Sequence, residues 1–181
     1  MMLVSKKLKV VPATIHLSLF EAIKLINKDL INNIILSCHN SLINQFKIPN
    51  PKIFVSGLNP HAGENGLFGM EEINVISPAI VELRKTGIDV NGPYSADSLF
   101  HPKIRNCYDA VICMYHDQAL IPIKTLSFDD AVNITLGLPF VRTSPDHGTA
   151  MDIAGKDLAS PESLISAIRF ANRLTSNNNE H

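Results

Sequence analysis

The 181-residue sequence has no tryptophan, only three cysteines and a charged fraction of just 18%. Cys38, Cys107 and Cys113 form an odd set without CxxC spacing, which excludes a disulfide framework or a cysteine-built zinc site. A reducing, cytoplasmic compartment suits them. An excess of one charge sign is also missing. Sixteen Lys+Arg stand against seventeen Asp+Glu for a net charge of -1, leaving no broad basic face for nucleic acid or anionic lipid. No apolar run approaches the roughly 20 residues that span a bilayer. In the opening MMLVSKKLKVV the lysines follow the short apolar stretch, the reverse of a signal peptide. The expectation is a soluble intracellular protein with neither a nucleic-acid nor a membrane partner. Finally, GxGxxG, GxxxxGK[ST], HExxH and GxSxG are all absent, which removes support for standard Rossmann binding, P-loop hydrolysis, zincin proteolysis and hydrolase-elbow chemistry.

What remains is an ordinary globular composition, 45% hydrophobic, with no internal repeat and no linker. Its low charge leaves room for apolar surface covered by another chain. Short β-rich runs alternate with helical patterns, which predicts an α/β fold with a largely parallel sheet and helices on both faces. Strands are expected at Lys9–Ile15, Lys52–Ser56, Ala110–Met114 and Ala131–Leu136. Pro12 places the first at a sheet edge or close to its own end. Helices are expected at Leu19–Ile26 behind an N-cap at Ser18, at Lys28–Phe46, at Glu71–Thr86 with Pro78 kinking or dividing it, and at Pro161–Leu174. A helix or turn is read at Asp117–Leu126, loops at 57–69, 92–97 and from 137 through Gly155, and a frayed tail at 175–181. Ala110–Met114 is apolar at every position, as in a central strand covered on both faces.

In open α/β sheets the functional crevice lies beyond the carboxyl ends of the strands. His16, His61 and His116 each follow a predicted strand. Taken singly, each is an ordinary hydrogen-bonding loop residue; together, three imidazoles with an open position form a catalytic metal pattern. Asp97 and Asp117 are the nearest carboxylates, able to orient a ligand or to act as acid or base. His39, His101 and His181 read as solvated or structural.

Four segments, 57–64 (GLNPHAGE), 114–118 (MYHDQ), 132–139 (VNITLGLP) and 142–150 (RTSPDHGTA), occur in one order. Together they closely resemble the 4-hydroxythreonine-4-phosphate dehydrogenases of pyridoxal phosphate biosynthesis. The resemblance implies a divalent metal, zinc, magnesium or cobalt, held by His16, His61 and His116 and shared across a homodimer interface. It implies that Lys124, Asn133 and Arg142 bind a phosphorylated amino-acid substrate; for the group that removes the hydroxyl proton, Asp117 beside His116 is the one candidate. The segment from His147 through Gly148, Thr149, Ala150 and Asp152 to Gly155 is similar to the adenosine-binding loop of the wider isocitrate and isopropylmalate dehydrogenase group. Asp152 stands where a carboxylate bonds the ribose diol, which implies NAD over NADP. Residues 1–122 would then form a metal-binding and dimerisation part, and 123–174 a substrate- and cofactor-binding part.

The resemblance covers only the C-terminal half of the family chain. An N-terminal half, expected as a separately encoded partner or the rest of a longer product, would contribute further substrate contacts. Without it, exposed apolar surface and poor solubility are expected. Two other readings stand beside the dehydrogenase: an inactive remnant that keeps a metal-binding dimeric fold, and a different metal-dependent enzyme acting on phosphorylated small molecules.

Overall fold

The computed structural model describes residues 1–146, 148 and 150–176; the expectations for His147, Thr149, His181 and the tail from 177 onward lie outside them. Seven strands form one sheet: β1 (Met2–Val4), β2 (Lys9–Pro12), β3 (Ile53–Ser56), β4 (Val90–Tyr94), β5 (Ala110–Cys113), β6 (Val132–Ile134) and β7 (Thr143–Pro145). Their order is β4-β3-β5-β2-β1-β6-β7. Strands β4, β3, β5, β2 and β6 run one way, while β1 and β7 run the other. The sheet is therefore mixed and mostly parallel, as the alternation of elements predicts.

Helices α1 (Leu19–Leu25), α2 (Lys28–Asn44), α3 (Ser77–Arg84), α4 (Ala96–Leu99), α5 (Pro102–Arg105), α6 (His116–Leu126) and α7 (Glu162–Ser176) surround it. Strand alternation divides the core between the two faces. Ala110 and Ile112 point into a cluster with α2, α3 and α7, whereas Val111 and Cys113 point into a second with Leu99, Ala119 and Ile123. All four β5 residues are fully buried. Burying a side chain the size of Ile112 stabilises the fold by about 1.5–3 kcal/mol.

Local chemistry sets several boundaries. Ser18 and Glu21 form a capping box that starts α1. Pro78 lacks the N–H that a continuous helix would return to residue 74, and the chain responds with a π-helical turn at Glu72–Ile76 followed by α3 with proline in its first turn. The predicted helix is thus divided just before the proline. Pro12 closes β2 at its last residue, so β2 sits inside the sheet between β5 and β1 rather than at an edge.

Some elements differ from the sequence reading. β1 was not anticipated, nor was β4, which includes the Gly92–Tyr94 segment expected as loop, nor β7 in the long loop before Gly155. The helix or turn read at Asp117–Leu126 is the helix α6, which runs through position 122 with Pro122 inside it. Among the described residues no helix is long and apolar enough to cross a membrane.

Candidate active site at the strand ends

Parallel pairing of β2, β5 and β3 brings their carboxyl ends to one edge. The ends are tied together. Ala13 N donates to Cys113 O at 2.7 Å, and the buried Thr14 hydroxyl donates to Met114 O at 2.9 Å. This places the turn carrying His16, itself at a left-handed φ of 52°, beside the start of α6. The His16 and His116 rings lie with centroids 5.9 Å apart and share a cavity of about 260 Å³ with Thr14, Tyr115 and Asp117.

Two imidazoles on one ion, with metal–nitrogen bonds of about 2.1 Å at a tetrahedral angle, would have centroids about 5.3 Å apart. The observed pair is close to that. His116 Nδ1 lies 2.7 Å from Asp117 Oδ1. An ionised carboxylate only accepts, so this contact is a hydrogen bond from Nδ1 that turns Nε2 away from Asp117. Of the two roles open to Asp117, this bond is the orienting one.

His61 occupies the next compartment. It lines a neighbouring cavity of about 330 Å³ with Asn59, Ser95, Asp97 and Gln118, and Tyr115 forms a wall of both cavities. Its ring packs on Phe68 at 5.9 Å between centroids. Asp97, in the first turn of α4, is held below the usual carboxylate range chiefly by a 2.6 Å hydrogen bond from Ser95 Oγ, with a smaller contribution from the charge of His61. Among the described residues no three His, Cys, Asp or Glu side chains of this one chain group closely enough to hold an ion. Within this chain, then, His16 and His116 form a facing pair and His61 stands one compartment away.

The residues predicted to meet substrate and cofactor lie farther along the sheet. Lys124, two turns into α6, ion-pairs with Asp146 at 2.8 Å and lines a separate, largely apolar cavity of about 450 Å³ with Phe128, Gly148, Ala150 and Ile153. Ala150 takes a left-handed φ of 46°, and Asp152 is exposed on the 3-10 turn Met151–Ile153. Asn133 lies in β6, in register with Leu3 and Ser144. Arg142 is exposed and donates from Nη1 to Thr135 Oγ1 at 2.8 Å. Lys124 and the histidine pair thus line different cavities within this chain. His39 lies within α2 and His101 caps α5, both structural positions.

Two residues that carry the site were not singled out from the sequence. Gln118 joins both strand ends: its Oε1 accepts from Ser56 Oγ and from Met114 N at 2.7 Å each, and its Nε2 donates to Gly57 O at 2.9 Å. Glu72, only 3% exposed, binds the backbone of the His61 loop. A glutamine two residues after His116 and a glutamate just ahead of Ile73, Val75 and Ile76 were the available signals.

Comparison with known proteins agrees with this architecture. A protein-family model described as Pyridoxal phosphate biosynthetic protein PdxA matches residues 1–171. The 4-hydroxythreonine-4-phosphate dehydrogenase of Bradyrhizobium diazoefficiens is 56% identical over 174 residues, 96% of this chain and 50% of the relative. The enzyme of the same name from Caulobacter vibrioides is 51% identical over 96% of this chain and 52% of its own. The crystal structure of 4-hydroxythreonine-4-phosphate dehydrogenase from Klebsiella pneumoniae superimposes with a TM-score of 0.86 at 43% identity, covering 96% of this chain and 53% of that one. A terephthalate 1,2-cis-dihydrodiol dehydrogenase from Burkholderia xenovorans LB400 follows the same fold with a TM-score of 0.76 at 33% identity, over 95% of this chain and 54% of that one. The chain spans about half the length of the curated relatives it matches. With the fold, the strand-end histidines and the family model in agreement, the chain belongs to the PdxA family of pyridoxal phosphate biosynthetic proteins.

Proposed function

We propose that this chain is the metal-binding half of an NAD-dependent 4-hydroxythreonine-4-phosphate dehydrogenase. The reaction would oxidise the C3 hydroxyl of 4-phosphooxy-L-threonine, for which NAD would supply the hydride acceptor, and the resulting β-keto acid would lose CO2 to give 3-amino-2-oxopropyl phosphate. The observation that carries the reading is the His16–His116 pair at 5.9 Å, with Asp117 orienting His116, in a chain of this family.

His16, His61 and His116 would hold one divalent ion, which would supply Lewis acidity toward the substrate hydroxyl. The separation of His61 from the pair supports a site completed between two copies of the chain. So does the exposed apolar surface on either side of it, Leu17, Leu19 and Phe20 with Phe68, Met70 and Ile73. Asp117 fixes the tautomer of His116. Lys124 and Arg142 would neutralise the substrate phosphate, and Asn133 would add a directional hydrogen bond; engaging the phosphate then requires Lys124 to exchange its Asp146 partner. Gly148, Ala150 and Asp152, with His147 and Thr149, would receive the adenosine of NAD, Asp152 bonding the ribose diol and repelling a 2′-phosphate.

The relatives' dehydrogenase names support oxidoreduction, and the higher identity to the 4-hydroxythreonine-4-phosphate enzymes favours that substrate over a dihydrodiol. The test is NADH formation from 4-phosphooxy-L-threonine with added zinc, cobalt or magnesium, by this chain alone and together with the half that its relatives carry in addition. Turnover that needs both halves and disappears in His116→Ala is expected. Metal binding without turnover in any combination would favour the inactive dimeric remnant. Turnover of another phosphorylated substrate alone would favour the third reading.

A further inference from the structure

Glu72 is a buried carboxylate, 3% exposed, with no cationic side chain in ion-pair distance among the described residues. Its partners all belong to one loop. Oε1 accepts from Leu58 N and Asn59 N at 2.7 Å each, and Oε2 accepts from Asn59 Nδ2 at 2.9 Å. A Cβ at Gly57 would stand 3.0 Å from Oε1, and one at Gly63 2.6 Å from Oε2. The carboxylate therefore grips the loop before His61, at Leu58 and Asn59, and lies against Gly63 after it, where two glycines leave it room.

That loop needs holding. Residues His61, Ala62, Gly63, Glu64 and Asn65 all take left-handed φ, at 52°, 51°, 80°, 42° and 54°. Four of the five carry a Cβ and are disfavoured there. Such backbone persists only where surrounding structure over-determines it.

We infer that Glu72 is the positioning residue of His61, anchoring its left-handed loop through Leu58 and Asn59 so that the imidazole projects from the sheet edge toward the metal site. The inference rests on the proposed metal-binding role of the histidines, but its first consequence needs no metal. In metal-free protein, Glu72→Ala should raise amide hydrogen exchange at Leu58 and Asn59 about tenfold and shift the His61 ring resonances while those of His16 and His116 stay. Glu72→Gln keeps the acceptor for both amides and should restore most of the wild-type pattern.

In a cobalt titration, Glu72→Ala should weaken affinity about 10–100-fold and have no further effect in a His61→Ala background, because Glu72 acts through that residue. Unmoved His61 resonances would overturn the inference. So would an equal loss of cobalt affinity with and without His61. If Glu72→Ala does not fold, Glu72→Asp, which withdraws the carboxylate from the loop by one methylene, carries the test, and unmoved His61 resonances there contradict the inference. If the metal-free signature appears but wild-type protein binds no cobalt, the positioning role stands and the metal reading of the histidines falls.

Discussion

His16 and His116 face each other with ring centroids 5.9 Å apart, one on the turn after β2 and the other at the start of α6 after the neighbouring parallel strand β5. Their proximity is made by the sheet. The Ala13 and Thr14 hydrogen bonds to Cys113 and Met114 carry the strand pairing past the last ladder residue and into the site. Chemistry at this edge therefore depends on backbone geometry that is fixed before any ligand arrives.

Asp117 is largely exposed, with 71% of its side chain accessible, yet it holds His116 Nδ1 at 2.7 Å. Asp117→Ala should lower affinity for cobalt or zinc by about 10–100-fold. Its cost to folding should be under about 1 kcal/mol, the loss of one acidic group at a helix N-terminus. Parallel metal titration and chemical denaturation check both halves of this expectation. A large loss of stability with unchanged affinity would assign Asp117 to the fold.

Gln118 has the opposite profile. Replacing it with leucine strands the Ser56 hydroxyl, the Met114 amide and the Gly57 carbonyl, of which Ser56 and Met114 are fully buried. Gln118→Leu should destabilise by about 2–4 kcal/mol, read from urea denaturation, and should also loosen metal binding because it joins the strand ends before the His61 and His116 turns.

Ile112 lies at the centre of β5 with no exposed surface. Ile112→Val should cost about 1 kcal/mol and Ile112→Ala about 2–5 kcal/mol. A similar small cost for both, measured in the same denaturation series, would mean that the α2–α3 face of the sheet is loosely packed.

The three cysteines separate by burial. Burial pushes the Cys38 thiol up to about 12 and raises Cys113 as well, while Cys107 is exposed. Native protein at pH 8 should react rapidly with a thiol reagent at one cysteine and, once unfolded, at three. Because the folded-state values are raised, these buried thiols contribute stability that is full below their ordinary value of 9.0 and is lost as pH rises from there toward about 12. Denaturation midpoints should therefore fall across that alkaline interval, and Cys38→Ser should change the slope.

Much of this architecture is written in local sequence. β5 announces itself by five consecutive apolar residues from 110 to 114, and the capping box at Ser18 and Glu21 marks α1. β1 and β7 are three residues each, too short for periodicity to register, and β4 holds Gly92 and Pro93, residues that ordinarily punctuate loops. The histidines could be placed because each follows a strand. Glu72 and Gln118 could not, because their roles depend on which loops the sheet brings to them. Only the family resemblance implies Lys124 as a phosphate ligand, and only the fold shows it paired with Asp146.

The central claim is that His16, His61 and His116 together hold one divalent ion. Titration of the metal-free protein with cobalt, followed by visible absorption and calorimetry, tests it most directly. The account predicts one ion per chain with a nitrogen-ligand spectrum, and affinity reduced at least about tenfold in each of the three single His→Ala variants. Unchanged affinity in His61→Ala, or an equal response from the structural His101→Ala, would contradict it.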